Sequence, residues 1–177
     1  QNSWFEYDAE NGDGNGLKHV DQLLEQRRRL LPLLEAERCR LPDQDGRRIV
    51  LWGLSQGAGV AVDLALHAPF VVGGVLALRG MALRDGLQGL PARLDSTSVQ
   101  ILAINGAHDW LCPPEAARAS YEAVSHLGVS VSCVTEPTLG HACARGRQKL
   151  NTPEMRRVNA FFRAIWDALD EAPVRAP

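Results

Sequence analysis

Hydrophobic positions follow two different spacings along the chain, and the two spacings alternate. Four short, continuous apolar runs are typical of buried strands: 48–53, 71–78, 99–104 and 129–134. Three segments with apolar residues at every third or fourth position are typical of helices: 56–67, 113–126 and 153–169. Because strands that alternate with amphipathic helices form parallel sheets, the pattern predicts an α/β fold in which helices cover both faces of a parallel sheet.

The first part of the chain and one later connection depart from this alternation. Residues 1–15 are rich in glycine and asparagine and predict an irregular lead-in. Helical spacing then runs from Leu17 to Glu37, where Pro32 is expected to kink the helix or divide it in two. The one long connection, 80–98, is rich in leucine, methionine and glycine. No linker divides the chain, so we expect a single domain over its full length of 177 residues.

Charge and hydropathy exclude some classes of partner. A formal net charge of −2 gives no attraction to nucleic acid or to anionic membranes. No stretch reaches the ~18 continuous apolar residues of a membrane-spanning helix. We therefore expect no nucleic-acid partner and no membrane span. No signal peptide is visible, which favours a cytoplasmic location, although a leader ahead of Gln1 stays open.

The pentapeptide Gly53-Leu54-Ser55-Gln56-Gly57 joins a predicted strand to a predicted helix. A serine at a sharp turn between a strand and a helix is typical of a nucleophile elbow. The turn is expected to hold Ser55 in a strained backbone conformation, and side chains at positions 53 and 57 are expected to collide with neighbouring backbone. The N-terminus of the helix would offer the backbone N–H of Gln56 to an oxyanion. The simpler interpretation is a glycine-rich turn without chemistry.

Two later residues follow strands in the order that a serine nucleophile of this kind requires. Such hydrolases present serine, then an acid, then histidine, each after a strand. Asp109 follows the third apolar run, and His141 follows the fourth. Asp109 could instead be an ordinary turn residue, since Asn, Gly and Asp cluster in loops for local reasons. His108 is the competing base, but a base from the same turn as its acid would not easily reach Ser55 with that acid behind it.

Together these motifs resemble the phospholipase/carboxylesterase family of α/β hydrolases, which includes acyl-protein thioesterases. The resemblance extends over nearly the whole chain and rests on four segments: Trp4-Phe5-Glu6, Gly53-Leu54-Ser55-Gln56-Gly57-Ala58, Asn105-Gly106-Ala107-His108-Asp109 with the following Pro113, and Leu139-Gly140-His141. It implies an α/β-hydrolase domain with Ser55 as nucleophile, Asp109 as orienting acid and His141 as general base.

The same resemblance implies an apolar groove that binds the acyl chain of a substrate. The groove would border the long connection and the residues after the acid: Met81, Leu83, Trp110 and Leu111. Loops as long as 80–98 are usually functional or disordered. The alternative is that this connection, which also contains Leu94, is a lid packed for stability alone.

The start of the chain departs from the family pattern. Family members begin with further strands and a His-Gly loop that supplies a second oxyanion donor, and neither precedes Trp4 here. We therefore expect the N-terminal strands of the sheet to be missing from this chain, which leaves the strand 48–53 with an open edge, an aggregation hazard. A separate N-terminal segment or a second chain would complete the sheet. Alone, the chain is expected to be a poor enzyme.

The sequence thus predicts a serine hydrolase that cleaves carboxylic ester or thioester bonds through an acyl-serine intermediate, with no metal and no organic cofactor. Two alternatives stay open. One is a hydrolase-like binding module that has lost its activity. The other is an acyltransferase that uses the same three residues.

Four cysteines are widely spaced and form no C-x-x-C pair: Cys39, Cys112, Cys133 and Cys143. This spacing argues against a structural zinc site and favours free thiols. Cys112 and Cys143 flank the two predicted catalytic loops, so a disulfide between them is an alternative. The tripeptide His141-Ala142-Cys143 offers too few ligands for a metal site.

Overall fold

The computed structural model of this chain describes residues 3–8, 14–90, 99–141 and 152–170. These residues form a sheet of four strands: β1 (Val50–Leu54), β2 (Gly74–Leu78), β3 (Gln100–Gly106) and β4 (Ser130–Glu136). Four α-helices accompany the sheet in the described ranges: α1 (Val20–Arg40), α2 (Gln56–His67), α3 (Pro114–His126) and α4 (Pro153–Asp170). Two short 3-10 helices are also present: Gly46–Arg48 and Asp85–Leu87.

The four strands run parallel and pair in the order β1-β2-β3-β4, so each lies beside its neighbour in sequence. Their register is aligned at the carboxyl ends, where Leu54 pairs with Leu78, Leu78 with Ile104, and Ile104 with Val134. Because the strands are parallel, the loops that follow them meet at one edge of the sheet. The elbow after β1 and the loops after β3 and β4 therefore share this edge.

Small side chains allow α2 to lie close against one face of the sheet. Its Ala58, Ala61 and Ala65 are buried and belong to the same apolar cluster as Val75 and Ala77 of β2. Helix α3 packs into this cluster over β3 and β4, and α1 packs against α2. This face holds the larger part of the hydrophobic core among the described residues.

Helix α4 covers the opposite face of the sheet. Its apolar residues recur at every third or fourth position, so that Val158, Phe161 and Ile165 share one side of the helix. Val158 packs against leucines and an isoleucine of β2 and β3, with Phe161 beside them. Helices thus lie on both faces of a parallel sheet, as the hydrophobic pattern predicts.

Strand β1 keeps part of its surface uncovered. Among the described residues it pairs on one side only, with β2. Trp52 and Leu54 lie on the same face as α4 but are 69% and 51% exposed, because α4 covers β2 and β3 rather than β1. This arrangement agrees with the open edge expected for this strand. Within the described ranges, every helix is too short or too polar to cross a bilayer.

Helix α1 decides one part of an expectation from the sequence. It begins at Val20 and continues through Pro32 to Arg40, so Pro32 does not divide the helix in two, and the alternative of a kink at Pro32 stays a prediction. Proline removes a single N–H donor from the helix. Leu23 and Leu34, on either side of Pro32, both remain buried, and their packing holds the two halves of the helix in place.

The described residues of the lead-in, 3–8 and 14–15, have no regular secondary structure, as predicted, but they are packed against the rest of the chain. Tyr7 and Leu17 form an isolated antiparallel bridge. Phe5 is 2% exposed and belongs to a cluster with Leu17 and with Val60 of α2. The lead-in therefore reaches the helix that follows the elbow.

Candidate active site

The turn between β1 and α2 has the strain expected of a nucleophile elbow. Ser55 has φ +55° and ψ −123°, a left-handed conformation that is uncommon for residues other than glycine. A Cβ at Gly53 would lie 2.0 Å from the backbone oxygen of Gly57, so only glycine fits there. At Gly57 itself the expected collision is wrong, because the nearest atom to an added Cβ is Trp4 Nε1 at 3.9 Å.

The structure brings Ser55, His141 and Asp109 into one hydrogen-bonded series, which we call the triad cluster. His141 Nε2 lies 2.9 Å from Ser55 Oγ. On the other side of the ring, His141 Nδ1 lies 3.0 and 3.1 Å from the two carboxylate oxygens of Asp109. The three side chains come from the loops after β1, β3 and β4, which the parallel register brings together.

Backbone N–H groups fix the orientation of the Asp109 carboxylate. Asp109 Oδ1 accepts hydrogen bonds from the N–H of Leu111 at 3.0 Å and from the N–H of Cys112 at 2.8 Å. This local turn is the type that aspartate forms with residues two and three positions ahead. Asp109 is therefore both a turn residue and the partner of His141, and the two interpretations of its position are compatible.

The loop that carries His141 is bonded to the loop that carries Asp109. The N–H of His108 donates to the carbonyl of Leu139 at 2.9 Å. A Cβ at Gly106 would lie 2.2 Å from that same Leu139 oxygen, so the close approach of the two loops requires glycine there. The His108 side chain, the competing base in the sequence, is exposed, and its backbone has a structural role.

Gln56 begins α2, and its backbone N–H lies in the first turn, where N–H groups have no acceptor within the helix. Its side chain is held by the lead-in: Oε1 accepts from the N–H of Trp4 at 3.1 Å, and Nε2 donates to the carbonyl of Phe5 at 2.9 Å. The sequence did not predict these two hydrogen bonds between the Gln56 side chain and the lead-in. The Trp4-Phe5 motif was visible, but nothing in the pattern connected it with Gln56.

The four residues predicted to contact substrate fall into two separate environments. Met81 and Leu83 are each 2% exposed and pack in the interior, Met81 beside Cys112. Trp110 and Leu111 are 78% and 51% exposed, directly after Asp109. Burial leaves Met81 and Leu83 no free surface for a ligand in this structure, which fits the alternative of a segment packed for stability. Leu94 lies outside the described residues.

Cys112 is the buried thiol nearest to the triad cluster. It is 3% exposed, and burial, with a smaller contribution from the Asp109 charge, raises the pKa of its thiol to about 12. One ligand atom from each of Asp109, Cys112 and His141 lies within 4.8 Å of the other two. Cys39, Cys112 and Cys133 carry free thiols. Because the thiol of Cys112 is free, the alternative of a disulfide with Cys143 is not borne out in this structure; Cys143 itself lies outside the described residues.

A second buried polar group, which we call the anchor cluster, lies at the same edge of the sheet and consists of the ion pair between Arg79 and Glu154. Arg79 follows β2 with φ +48°, is 2% exposed, and donates from its guanidinium to Glu154 in the first turn of α4. No sequence motif pointed to this group.

Comparison with known proteins identifies the family. The model of the phospholipase/carboxylesterase family matches residues 3–160. Acyl-protein thioesterase 1 of Gibberella zeae is 28% identical over 118 residues, which are 66% of this chain and 47% of that protein. The match therefore spans about half the length of this curated relative.

Solved structures share the fold. SOBER1 of Arabidopsis thaliana superposes with a TM-score of 0.69 at 19% identity, covering 93% of this chain and 74% of that chain. A carboxylesterase from Mesorhizobium loti gives a TM-score of 0.68 at 22% identity, covering 90% and 68%. At these identities the likeness concerns the α/β-hydrolase fold alone. The family match over most of the chain goes further: this chain belongs to the phospholipase/carboxylesterase family.

Proposed function

We propose that this chain carries the catalytic triad of a serine hydrolase that cleaves carboxylic ester or thioester bonds through an acyl-serine intermediate. Ser55 is the nucleophile, His141 the general base and Asp109 the acid that orients it. The backbone N–H of Gln56 is one donor to the oxyanion. The single observation that carries the proposal is the series of contacts from Ser55 Oγ through both ring nitrogens of His141 to Asp109.

The geometry supports a definite assignment of protons. The Asp109 carboxylate can only accept, so Nδ1 of a neutral His141 carries the proton and donates it to Asp109. Nε2 is then an acceptor, and the hydroxyl of Ser55 donates to it. This is the tautomer that a general base needs in order to remove the serine proton.

The reaction follows from these positions. As Ser55 Oγ attacks the substrate carbonyl, its proton passes to His141 Nε2, and the new positive charge on the ring is stabilised by Asp109. The carbonyl oxygen becomes an oxyanion near the first turn of α2, where the Gln56 N–H can donate to it. His141 then protonates the leaving alcohol or thiol. A water molecule, deprotonated by His141, releases the acyl group from Ser55.

The family names support an acyl substrate, and exposed apolar side chains beside the site are consistent with one. Carboxylesterases and an acyl-protein thioesterase are among the similar proteins. Trp110 and Leu111 are largely exposed next to the buried acid. We propose that these two residues, rather than the buried Met81 and Leu83, contact the acyl group.

A fluorophosphonate probe tests the proposal, because it reacts with an activated serine and not with an ordinary one. The wild-type chain should be labelled, and Ser55→Ala should abolish labelling. Ser125→Ala is the matched control, since Ser125 is exposed on α3 and should leave labelling unchanged. Labelling that persists in Ser55→Ala would refute the assignment of the nucleophile.

Turnover of a p-nitrophenyl ester then separates the alternatives. Release of free acid at a rate that depends on Ser55 supports hydrolysis. Binding of the ester without turnover by a folded protein would favour a module without activity. Appearance of the acyl group on an added alcohol, in preference to water, would favour an acyltransferase.

A further inference from the structure

A thiol lies beside the Asp109–His141 contact, in a position that the proposed hydrolysis does not use. Cys112 is 3% exposed, and its backbone N–H, not its sulfur, holds the Asp109 carboxylate at 2.8 Å. Its sulfur, a carboxylate oxygen of Asp109 and a ring nitrogen of His141 all lie within 4.8 Å of one another. The backbone contact explains the position of residue 112, but it does not require a cysteine there.

We propose that Asp109, Cys112 and His141 form a binding site for a thiophilic divalent cation, with Zn²⁺ as the representative ion, and that the bound cation inhibits the enzyme. Thiolate sulfur, imidazole nitrogen and carboxylate oxygen are the three donor types that bind zinc in proteins. Three protein ligands with a fourth position filled by water is a common zinc arrangement. One thiolate and one carboxylate also balance the two positive charges of the ion.

The surroundings of the thiol favour a soft or borderline cation over a hard one. Met81, whose thioether is a soft donor, packs in the same buried cluster as Cys112. A hard ion such as Mg²⁺ requires several oxygen ligands in octahedral geometry. Asp109 already uses one oxygen to accept two backbone N–H groups, so it has little capacity left for such an ion.

Binding of the cation and action of the general base exclude each other. His141 Nδ1 faces Asp109, and Nε2 faces Ser55. A cation on Nδ1 replaces the proton there, and that proton moves to Nε2; the thiol proton of Cys112 is released to solvent. Nε2–H then donates to Ser55 Oγ and can no longer accept the serine proton. Inhibition therefore occurs without any contact between the cation and Ser55.

The route to the site passes His141. The side chain of Asp109 is fully buried, whereas that of His141 is 18% exposed. The ring of His141 must move to admit an ion, so inhibition should develop slowly and a chelator should reverse it. The inhibition, but not the binding, rests on the proposed function.

Cobalt gives a readout of binding that is independent of hydrolysis. Co²⁺ substitutes for Zn²⁺, and its bond to a thiolate produces a charge-transfer absorption band in the near ultraviolet. We expect this band in the wild-type chain at one ion per chain, with loss of the band and at least about tenfold weaker binding in Cys112→Ser. Excess Zn²⁺ should displace Co²⁺, whereas Mg²⁺ should not.

Matched variants keep this experiment decisive. Cys112→Val fits the apolar surroundings of the sulfur and replaces Cys112→Ser if the serine variant does not fold. Cys39→Ser, Cys133→Ser and Cys143→Ser should each retain the band. A band that persists in folded Cys112→Val, or is lost in another cysteine variant alone, would overturn the proposal, as would the absence of any band in the wild-type chain.

Labelling tests the inhibitory effect. Zn²⁺ should suppress fluorophosphonate labelling of the wild-type chain by tenfold or more, slowly and reversibly, and should affect Cys112→Val by less than twofold. Labelling that Zn²⁺ leaves unchanged in a chain that shows the cobalt band would refute the inhibition. A cobalt band in a chain that is never labelled would refute the proposed hydrolase while leaving the cation site intact.

Discussion

The triad cluster and the anchor cluster are both polar, lie at the same edge of the sheet and come from neighbouring loops. They differ in how far their side chains are buried and in which of their polar atoms have partners. In the triad cluster, contacts run in series from the half-buried Ser55 to the fully buried carboxylate of Asp109. In the anchor cluster, Arg79 and Glu154 are both almost fully buried, and Arg79 Nε has no hydrogen-bond partner within the described residues. One group reaches the surface, and the other does not.

The difference indicates that buried polar side chains have two different roles in this protein. A site that moves protons needs one end open to the substrate and a fixed charge at the other end, and the triad cluster has both. The anchor cluster joins the turn after β2 to the first turn of α4 through a buried ion pair. Removing one partner of such a pair leaves an uncompensated buried charge, so we expect substitutions in the anchor cluster to lower the stability of the fold. We expect substitutions in the triad cluster to lower activity instead.

Asp109→Asn should have the largest effect and should act on activity alone. Asparagine can present an N–H to His141 and so favour the tautomer that cannot accept the serine proton. Turnover of a p-nitrophenyl ester should fall by about 10⁴-fold, as the loss of the orienting acid does in serine hydrolases with this triad. Thermal unfolding should change little, because the asparagine side-chain oxygen can still accept from Leu111 and Cys112.

Glu115→Gln is the control for this variant, since Glu115 is an exposed carboxylate in the first turn of α3. It should keep full turnover. A folded Asp109→Asn chain that retains more than a tenth of wild-type turnover would contradict the role given to the triad cluster.

Glu154→Gln should show the opposite pattern. Breaking the buried pair should lower the free energy of unfolding by about 3–5 kcal/mol, measured in urea. Arg40→Gln breaks a pair with Glu37 in which both side chains are exposed, so it should change the free energy of unfolding far less. Fluorophosphonate labelling of the folded fraction should remain in both variants.

The double variant Arg79→Met with Glu154→Met sharpens the test. In Glu154→Gln the buried charge of Arg79 has lost its partner. The double variant replaces both charged side chains by apolar ones and so contains no unpaired buried charge, and we expect it to be more stable than Glu154→Gln. A double variant that is less stable would mean that the ion pair itself, and not only its balance of charge, holds α4 in place.

The sequence predicted the triad cluster and not the anchor cluster, for a physical reason. Ser55, Asp109 and His141 each lie in a short sequence motif that follows an apolar run, so each could be recognised locally. Arg79 and Glu154 are 75 residues apart, and nothing in the sequence near either one marks them as partners. Hydrophobic periodicity likewise located the parallel sheet but not how α4 is fastened to it.

The burial of the residues predicted to contact substrate was harder to predict than the convergence of the triad cluster. Met81 and Trp110 are both large and apolar, and a sequence does not state which of them is covered by other segments. Coverage depends on long-range packing: Met81 lies behind Cys112 and Ala117, whereas Trp110 protrudes from the turn that Asp109 organises. The same limit applies to Gly57, whose motif suggested a steric need that the packing does not impose.

Gln56→Ala should give a smaller effect on both activity and stability, because this residue joins the elbow to the lead-in. The variant keeps the backbone N–H but loses the side-chain bonds to Trp4 and Phe5. At about 1 kcal/mol for each bond, the free energy of unfolding should fall by about 1–2 kcal/mol. Turnover should fall less than tenfold. Gln56→Glu, which can still accept from Trp4, should give an intermediate loss of stability, and equal losses in both variants would contradict this account.

Trp110→Ala should have the smallest effect, and it should appear in KM rather than kcat. Trp110 is 78% exposed beside Asp109, so the free enzyme gains little stability from it. A substrate acyl chain that covers part of the indole would gain about 1 kcal/mol, and the loss would raise KM by roughly fivefold. Trp166→Ala is the matched control: Trp166 is 50% exposed on α4, beside Ile165, which lies close to Gly73 and Gly74 at the amino end of β2, the edge of the sheet opposite the triad cluster. This variant should leave KM unchanged. Equal changes in the two variants would mean that Trp110 contributes general surface hydrophobicity rather than a contact with the substrate.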